Sequence, residues 1–174
     1  MGLVGSEMCI RDSNHHYGDL LTPPEAKISK LTGVLPGIDG RKMSKSYNNT
    51  IPIFADEGSL KKTIMKIKTN SLEPGVPKDI TDCNIFAIFK SISKENDVKS
   101  FQQMYEEGIG WGDAKTYLFD NLSLFLSSYK KEYQKIIKER DYVESVLKEG
   151  ANKALEVSTP LIEDIRNSVG IRGF

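Results

Sequence analysis

Lys42 and Lys45 bracket Met43 and Ser44, and Ser46 follows directly. Two lysines three positions apart, with two hydroxyls beside them, can wrap a polyphosphate. Each ammonium is a compact point charge, suited to negative charge developing on a departing pyrophosphate. Pro36-Gly37 and Asp39-Gly40 lie just upstream. Such residues let a loop move, as loops that close on a ligand must. On charge alone the same residues also fit a solvated basic loop.

The other chemistry-bearing groups are weaker candidates. His15 and His16 are adjacent, so in a regular element they point in different directions, and no carboxylate or thiol stands at ligand spacing. No metal site is expected. Asp19 and Glu25 could pair as catalytic carboxylates, but a loop or cap role suits them better. Cys9 and Cys83 are the two cysteines, too few for a disulfide framework. Cys83 reads as a small buried hydrophobe. Lys61, Lys62, Lys66 and Lys68 form one cationic group, and Lys130, Lys131, Lys135, Lys138 and Arg140 another. On helices these become stripes that could meet RNA phosphates, or solvated faces balanced by Glu132 and Glu139. Trp111 could stack on a base, but beside Gly110 and Gly112 it better suits packing at a helix start.

Helices must position these groups. Leu60, Ile64 and Ile67 recur at helical spacing with Lys61, Lys62 and Lys66 off that face, and Ser59 is the expected N-cap. Asn84 is expected to cap a second helix rich in Ile85, Phe86, Ile88, Phe89 and Ile92. A third spans about Glu95–Glu106 and ends near Gly108. After Trp111-Gly112, apolar residues from Ala114 to Ile137 recur at steps of three and four with no proline, which predicts one long helix. The last helix runs from about Val143 to Val169, with a kink expected at Pro160 and a C-terminal cap at Gly170. Residues 34–38 fit a short strand or extended piece, while residues 1–13 show no period and fit nothing downstream.

Composition sets the limits. The chain has 174 residues, 39% hydrophobic and 28% charged, which suits a globular protein rather than a disordered one. No apolar run reaches the roughly 18 residues of a membrane helix. Lys+Arg and Asp+Glu are 24 each. A uniformly basic nucleic-acid binder is excluded, but a local basic face is not. Residues 1–70 hold ten basic and seven acidic side chains, against fourteen and seventeen in the remainder. That shift suggests two unlike pieces, and the cysteine usage suggests a reducing cytoplasm. Met1-Gly2 with Ser6 matches the short myristoylation pattern, which chance alone often produces.

Lys42-Met43-Ser44-Lys45-Ser46 resembles the signature loop of class I aminoacyl-tRNA synthetases. The wider string Pro36–Phe54 is similar to the bacterial tryptophanyl-tRNA synthetases, as are Ile64–Thr69, Asp82-Cys83-Asn84 and Gly150–Ala154. The tyrosyl enzymes share the pentapeptide but follow it with a different, glycine-containing stretch. The resemblance implies a mostly α fold: a helical bundle of the anticodon-binding type following a remnant of a Rossmann-type α/β catalytic domain. The implied division is a foreign or disordered leader over 1–13, a catalytic remnant with the signature loop over 14–55, and a helical tRNA-binding domain over 56–174. The implied reaction is activation of tryptophan by ATP, with Mg2+, and transfer to tRNA by an enzyme that is usually a homodimer. Lys42 and Lys45 would then stabilise the leaving pyrophosphate. Ser44 and Ser46 would hold the loop and phosphates, and Met43 would anchor the loop on apolar neighbours. The family's H-x-G-H motif is absent, as are G-x-G-x-x-G and a P-loop. The chain therefore reads as a C-terminal portion, expected to be inactive in aminoacylation alone. The alternatives are a non-catalytic helical tRNA-binding module and a tyrosine–tRNA ligase fragment.

Overall fold

The computed structural model describes residues 4–27 and 33–171. Among them are six α-helices: α1 (Val4–Tyr17), α2 (Glu57–Met65), α3 (Asn84–Ile92), α4 (Glu95–Glu106), α5 (Trp111–Ile136) and α6 (Arg140–Ser168). No strand is formed among the described residues, so the mostly α expectation holds. The chain divides into two compact units, residues 28–135 and residues 1–27 with 136–174.

The unit spanning 28–135 owns the core. Leu60, Ile64 and Ile67 meet Ile85, Phe86, Ile88 and Phe89 of α3, Phe101 and Tyr105 of α4, and Ala114, Leu118, Leu122 and Leu126 of α5. These are the periodic apolar residues of the sequence, collected on one side of each helix. Phe101 sits at the centre, with ring centroids 4.5 Å from Phe89, 4.7 Å from Tyr117 and 4.9 Å from Tyr105. Such aromatic pairs contribute about 0.5–1.5 kcal/mol each beyond the area they bury.

Helix ends depart from the sequence expectation at two places. α2 begins two residues earlier than Ser59, and its N-cap is Asp56. The Asp56 carboxylate accepts from the Ser59 amide at 2.9 Å and from the Ser59 hydroxyl at 2.6 Å. Ser59 is thus the capped residue, because a carboxylate accepts both donors while a lone hydroxyl serves one. α3 has Cys83 at its N-cap position, without a side-chain cap bond. Asn84 is instead its first helical residue, and its amide reaches back to the Lys68 carbonyl at 3.3 Å. Two lysines tie the unit together through carbonyls. Lys115 Nζ donates to the Met65 carbonyl at 3.0 Å, at the C-terminus of α2. The buried Lys78 donates to the Glu73 and Val76 carbonyls, both at 2.9 Å.

In the other unit, α1 occupies residues in which the sequence shows no period. Its polar and apolar residues do not segregate to opposite faces, so amphipathicity could not announce it. α6 continues through Pro160 as one helix, as the unbroken apolar phase predicts. Beyond its end, Gly170 has φ +78 and Ile171 N donates to the Arg166 carbonyl at 2.8 Å, a glycine-capped terminus. None of the α6 residues is buried, and Leu147, Leu155 and Val157 remain well exposed.

Candidate polyphosphate-binding loop

The segment from Val34 to Asn49 is a hairpin without strands. Pro36 and Lys42 form an isolated antiparallel bridge. Met43 N donates to the Leu35 carbonyl at 2.8 Å and Gly37 N to that of Arg41 at 2.7 Å. Lys45–Tyr47 form one 3-10 turn, after which Asn48 takes a left-handed conformation with φ 51. Asparagine tolerates this conformation better than most residues.

Lys42 and Lys45 are exposed, and neither has an ion-pair partner among the described residues. Ser46 is also exposed, while Met43 and Ser44 are half-buried. The Ser44 and Ser46 hydroxyls lie 2.7 Å apart. The five residues singled out by sequence therefore stay together on one short loop. Its two ammonium groups are uncommitted, and one lysine sits on the bridge while the other opens the turn.

Arg41, the third cation here, is committed elsewhere. Its Nε donates to Asp39 at 2.7 Å, and its guanidinium carbon lies 4.5 Å from the Tyr47 ring centroid. The hydrogen bond from Asn49, with those from Arg41, holds the Asp39 carboxyl down to about 2. Asp39 is the carboxylate nearest the loop in sequence, and both its oxygens are occupied by these donors.

Asn49 was not legible as a functional residue. It is 1% exposed, among the largest fully buried side chains. Its Oδ1 accepts from Ser44 N at 2.8 Å. Its Nδ2 donates to Asp39 Oδ1 at 2.8 Å and to the Lys42 carbonyl at 3.1 Å. Its backbone carbonyl accepts from Ile38 N at 3.0 Å. A β-carbon on Gly37 would stand 2.7 Å from that carbonyl oxygen and overlap the Asn49 side chain, so the tight fit requires glycine there. The flanks join the core: Ile38 and Ile51 pack against it, and Lys68 N donates to the Ile38 carbonyl at 2.7 Å. From sequence, Asn48-Asn49 signals only a turn, since burial of an amide leaves no periodic trace.

The remaining candidates are placed as follows. His15 and His16 are exposed neighbours on α1, with ring centroids 5.2 Å apart. Asp19 and Glu25 are exposed. Cys83 is half-buried with its sulfur 3.4 Å from the Tyr105 hydroxyl. Trp111 opens α5, packs edge-on against Tyr105 and donates through Nε1 to Asn70 at 3.1 Å. That is the packing role. Lys61, Lys62, Lys66 and Lys68 are all exposed. In the second basic group Lys135 pairs with Glu132 at 3.2 Å and Arg140 with Glu144 at 2.9 Å. Behind the loop an open cleft of about 720 Å³ is lined by Asp39, Arg41, Lys68, Asn70, Asp82 and Trp111 among others, but not by Lys42 or Lys45.

The comparisons agree with this geometry. The family model for class I tRNA synthetases (W and Y) matches residues 4–127. Among curated relatives, the tryptophan–tRNA ligase of Pseudomonas aeruginosa is 41% identical over 164 residues, 92% of this chain and 37% of its own length. That of Bordetella parapertussis is 38% identical, over 91% of this chain and 36% of its own length. The chain thus spans little more than a third of these relatives. Among solved structures, the Campylobacter jejuni tryptophanyl-tRNA synthetase complexed with ADP and tryptophan superposes with a TM-score of 0.77 at 34% identity. That match covers 95% of this chain and 52% of the other. No helix among the described residues is long and apolar enough to cross a membrane. With its signature loop intact and most of its length matched, the chain belongs to the class I tRNA synthetases of the tryptophan and tyrosine branch.

Proposed function

We propose that this chain is the C-terminal portion of a cytoplasmic tryptophan–tRNA ligase. In the first step, a carboxylate oxygen of tryptophan attacks the α-phosphorus of ATP. The bond to the bridging oxygen breaks, and the products are tryptophanyl-adenylate and pyrophosphate. In the second, the tryptophanyl group passes to a terminal ribose hydroxyl of tRNA and AMP leaves. Lys42 and Lys45 meet the negative charge that grows on the departing pyrophosphate, a role effective only when the charge is met in the transition state. Ser44 and Ser46 offer hydroxyl donors to the same phosphates. Mg2+ enters as part of the triphosphate substrate. The exposed Lys61, Lys62, Lys66 and Lys68, on α2 and just beyond its end, contact tRNA phosphates, and on the family's pattern the whole enzyme is a homodimer.

The observation that carries the reading is the pair of exposed lysines without ion-pair partners among the described residues, on a loop whose stem is pinned to the core. The amino acid is taken from the relatives, whose names all specify tryptophan. The test is a chimera in which this chain's matched segment replaces the corresponding stretch of the Pseudomonas aeruginosa relative. Lys42→Ala or Lys45→Ala should slow tryptophan-dependent ATP–pyrophosphate exchange by about 10²-fold or more, the scale of losing one transition-state donor. Unchanged exchange in both would refute the role.

A further inference from the structure

We propose that Asn49 is a positioning residue for the activation step: its single buried amide sets where Lys42 and Lys45 stand. This rests on the phosphate role of those lysines. Asn49 bonds the loop on both sides of Met43, donating to the Lys42 carbonyl and accepting from Ser44 N. The direction of the Lys42 side chain and the start of the turn carrying Lys45 are thereby fixed by one group. Asp39 holds that amide in its orientation. Its carboxylate can only accept, so the Asn49 nitrogen must face it and the oxygen must face Ser44. Arg41 completes the clasp from the other side of Asp39, and Gly37 leaves no room for the amide to turn. The bonds confine the stem, while Lys45–Tyr47 project beyond it with exposed side chains. The outcome is a hydrogen-bonded base under an exposed tip, in which Asn49 meets Lys42 through its backbone carbonyl and not through the ammonium group.

A double-mutant cycle in the chimera tests this. Asn49→Ala should slow ATP–pyrophosphate exchange about tenfold or more, since small misplacements of catalytic groups are costly. In a Lys45→Ala background the same substitution should cost clearly less, because one of the two groups it positions is gone. Melting of each 174-residue variant, followed through Trp111, keeps stability separate from rate. Equal costs of Asn49→Ala in both backgrounds would overturn the inference while leaving the lysines' role intact. No effect of Lys45→Ala itself would overturn both.

Discussion

Truncating Phe101 to alanine tests whether the helices form one core beneath the loop. Phe101 is fully buried and faces Phe86, Phe89, Tyr105 and Tyr117, with centroids 5.9, 4.5, 4.9 and 4.7 Å away. Removing a buried phenyl ring loses its transfer free energy and leaves a cavity, together about 3–5 kcal/mol. The four neighbours belong to three helices, α3, α4 and α5, so the cavity cannot close without moving whole elements. We therefore place the loss in the upper half of that range. Domains are stable by only about 5–15 kcal/mol. A loss of this size should lower the melting temperature by at least about 15 °C in a unit of this length. Trp111 is the sole tryptophan and packs on Tyr105, so its fluorescence reports this core and not α6. Urea titration of the 174-residue chain through that signal gives the free energy. A cost below about 1 kcal/mol would refute the packing described.

The remaining expectations are independent of that core truncation. Lys78→Met leaves the Val76 carbonyl without its lysine donor and the Glu73 carbonyl with only the long bond from Val76 N at 3.4 Å, and should cost about 1–3 kcal/mol in the same urea titration. Gly108→Ala meets both a φ of +86 and a Gly75 carbonyl carbon 2.5 Å from the new β-carbon. It should destabilise by about 2 kcal/mol or more, against a near-neutral Gly112→Ala, where nothing stands within 4 Å. Asp39, Asp56 and Asp79 all have lowered pKa values when folded. Depressed carboxyls contribute stability above their unfolded pKa of about 3.9, and lose it as pH falls through the folded value. The melting temperature should thus drop between about pH 4 and 2, and Asp39→Asn should flatten that drop. If Lys61, Lys62, Lys66 and Lys68 contact tRNA phosphates, the plot of log K against log salt should have a slope of about −3, shallower once Lys61 and Lys62 become alanine.

The helical half was legible because its signal is periodic. Phe101, Leu118 and Ile64 sit on apolar faces that recur at helical spacing, and burial follows directly from that pattern. Helix ends were less so. Asp56 and Ser59 are both good capping residues, and only geometry shows which one accepts. α1 was invisible because its residues lack a polar and an apolar side, so local preference had nothing to add. At the loop, Lys42 and Lys45 stood out through residue type and spacing. Asn49 did not, because its role depends on Asp39 and Ser44, which come within bonding distance only after the hairpin closes.

The central claim is that Lys42 and Lys45 act on departing pyrophosphate and on no other step. Single-turnover kinetics of the chimera separate the two half-reactions. Lys45→Ala should slow formation of tryptophanyl-adenylate by about 10²-fold. Transfer from preformed adenylate to tRNA should stay within about twofold of the parent rate, because pyrophosphate has already left. Equal slowing of both steps, or of neither, would contradict it.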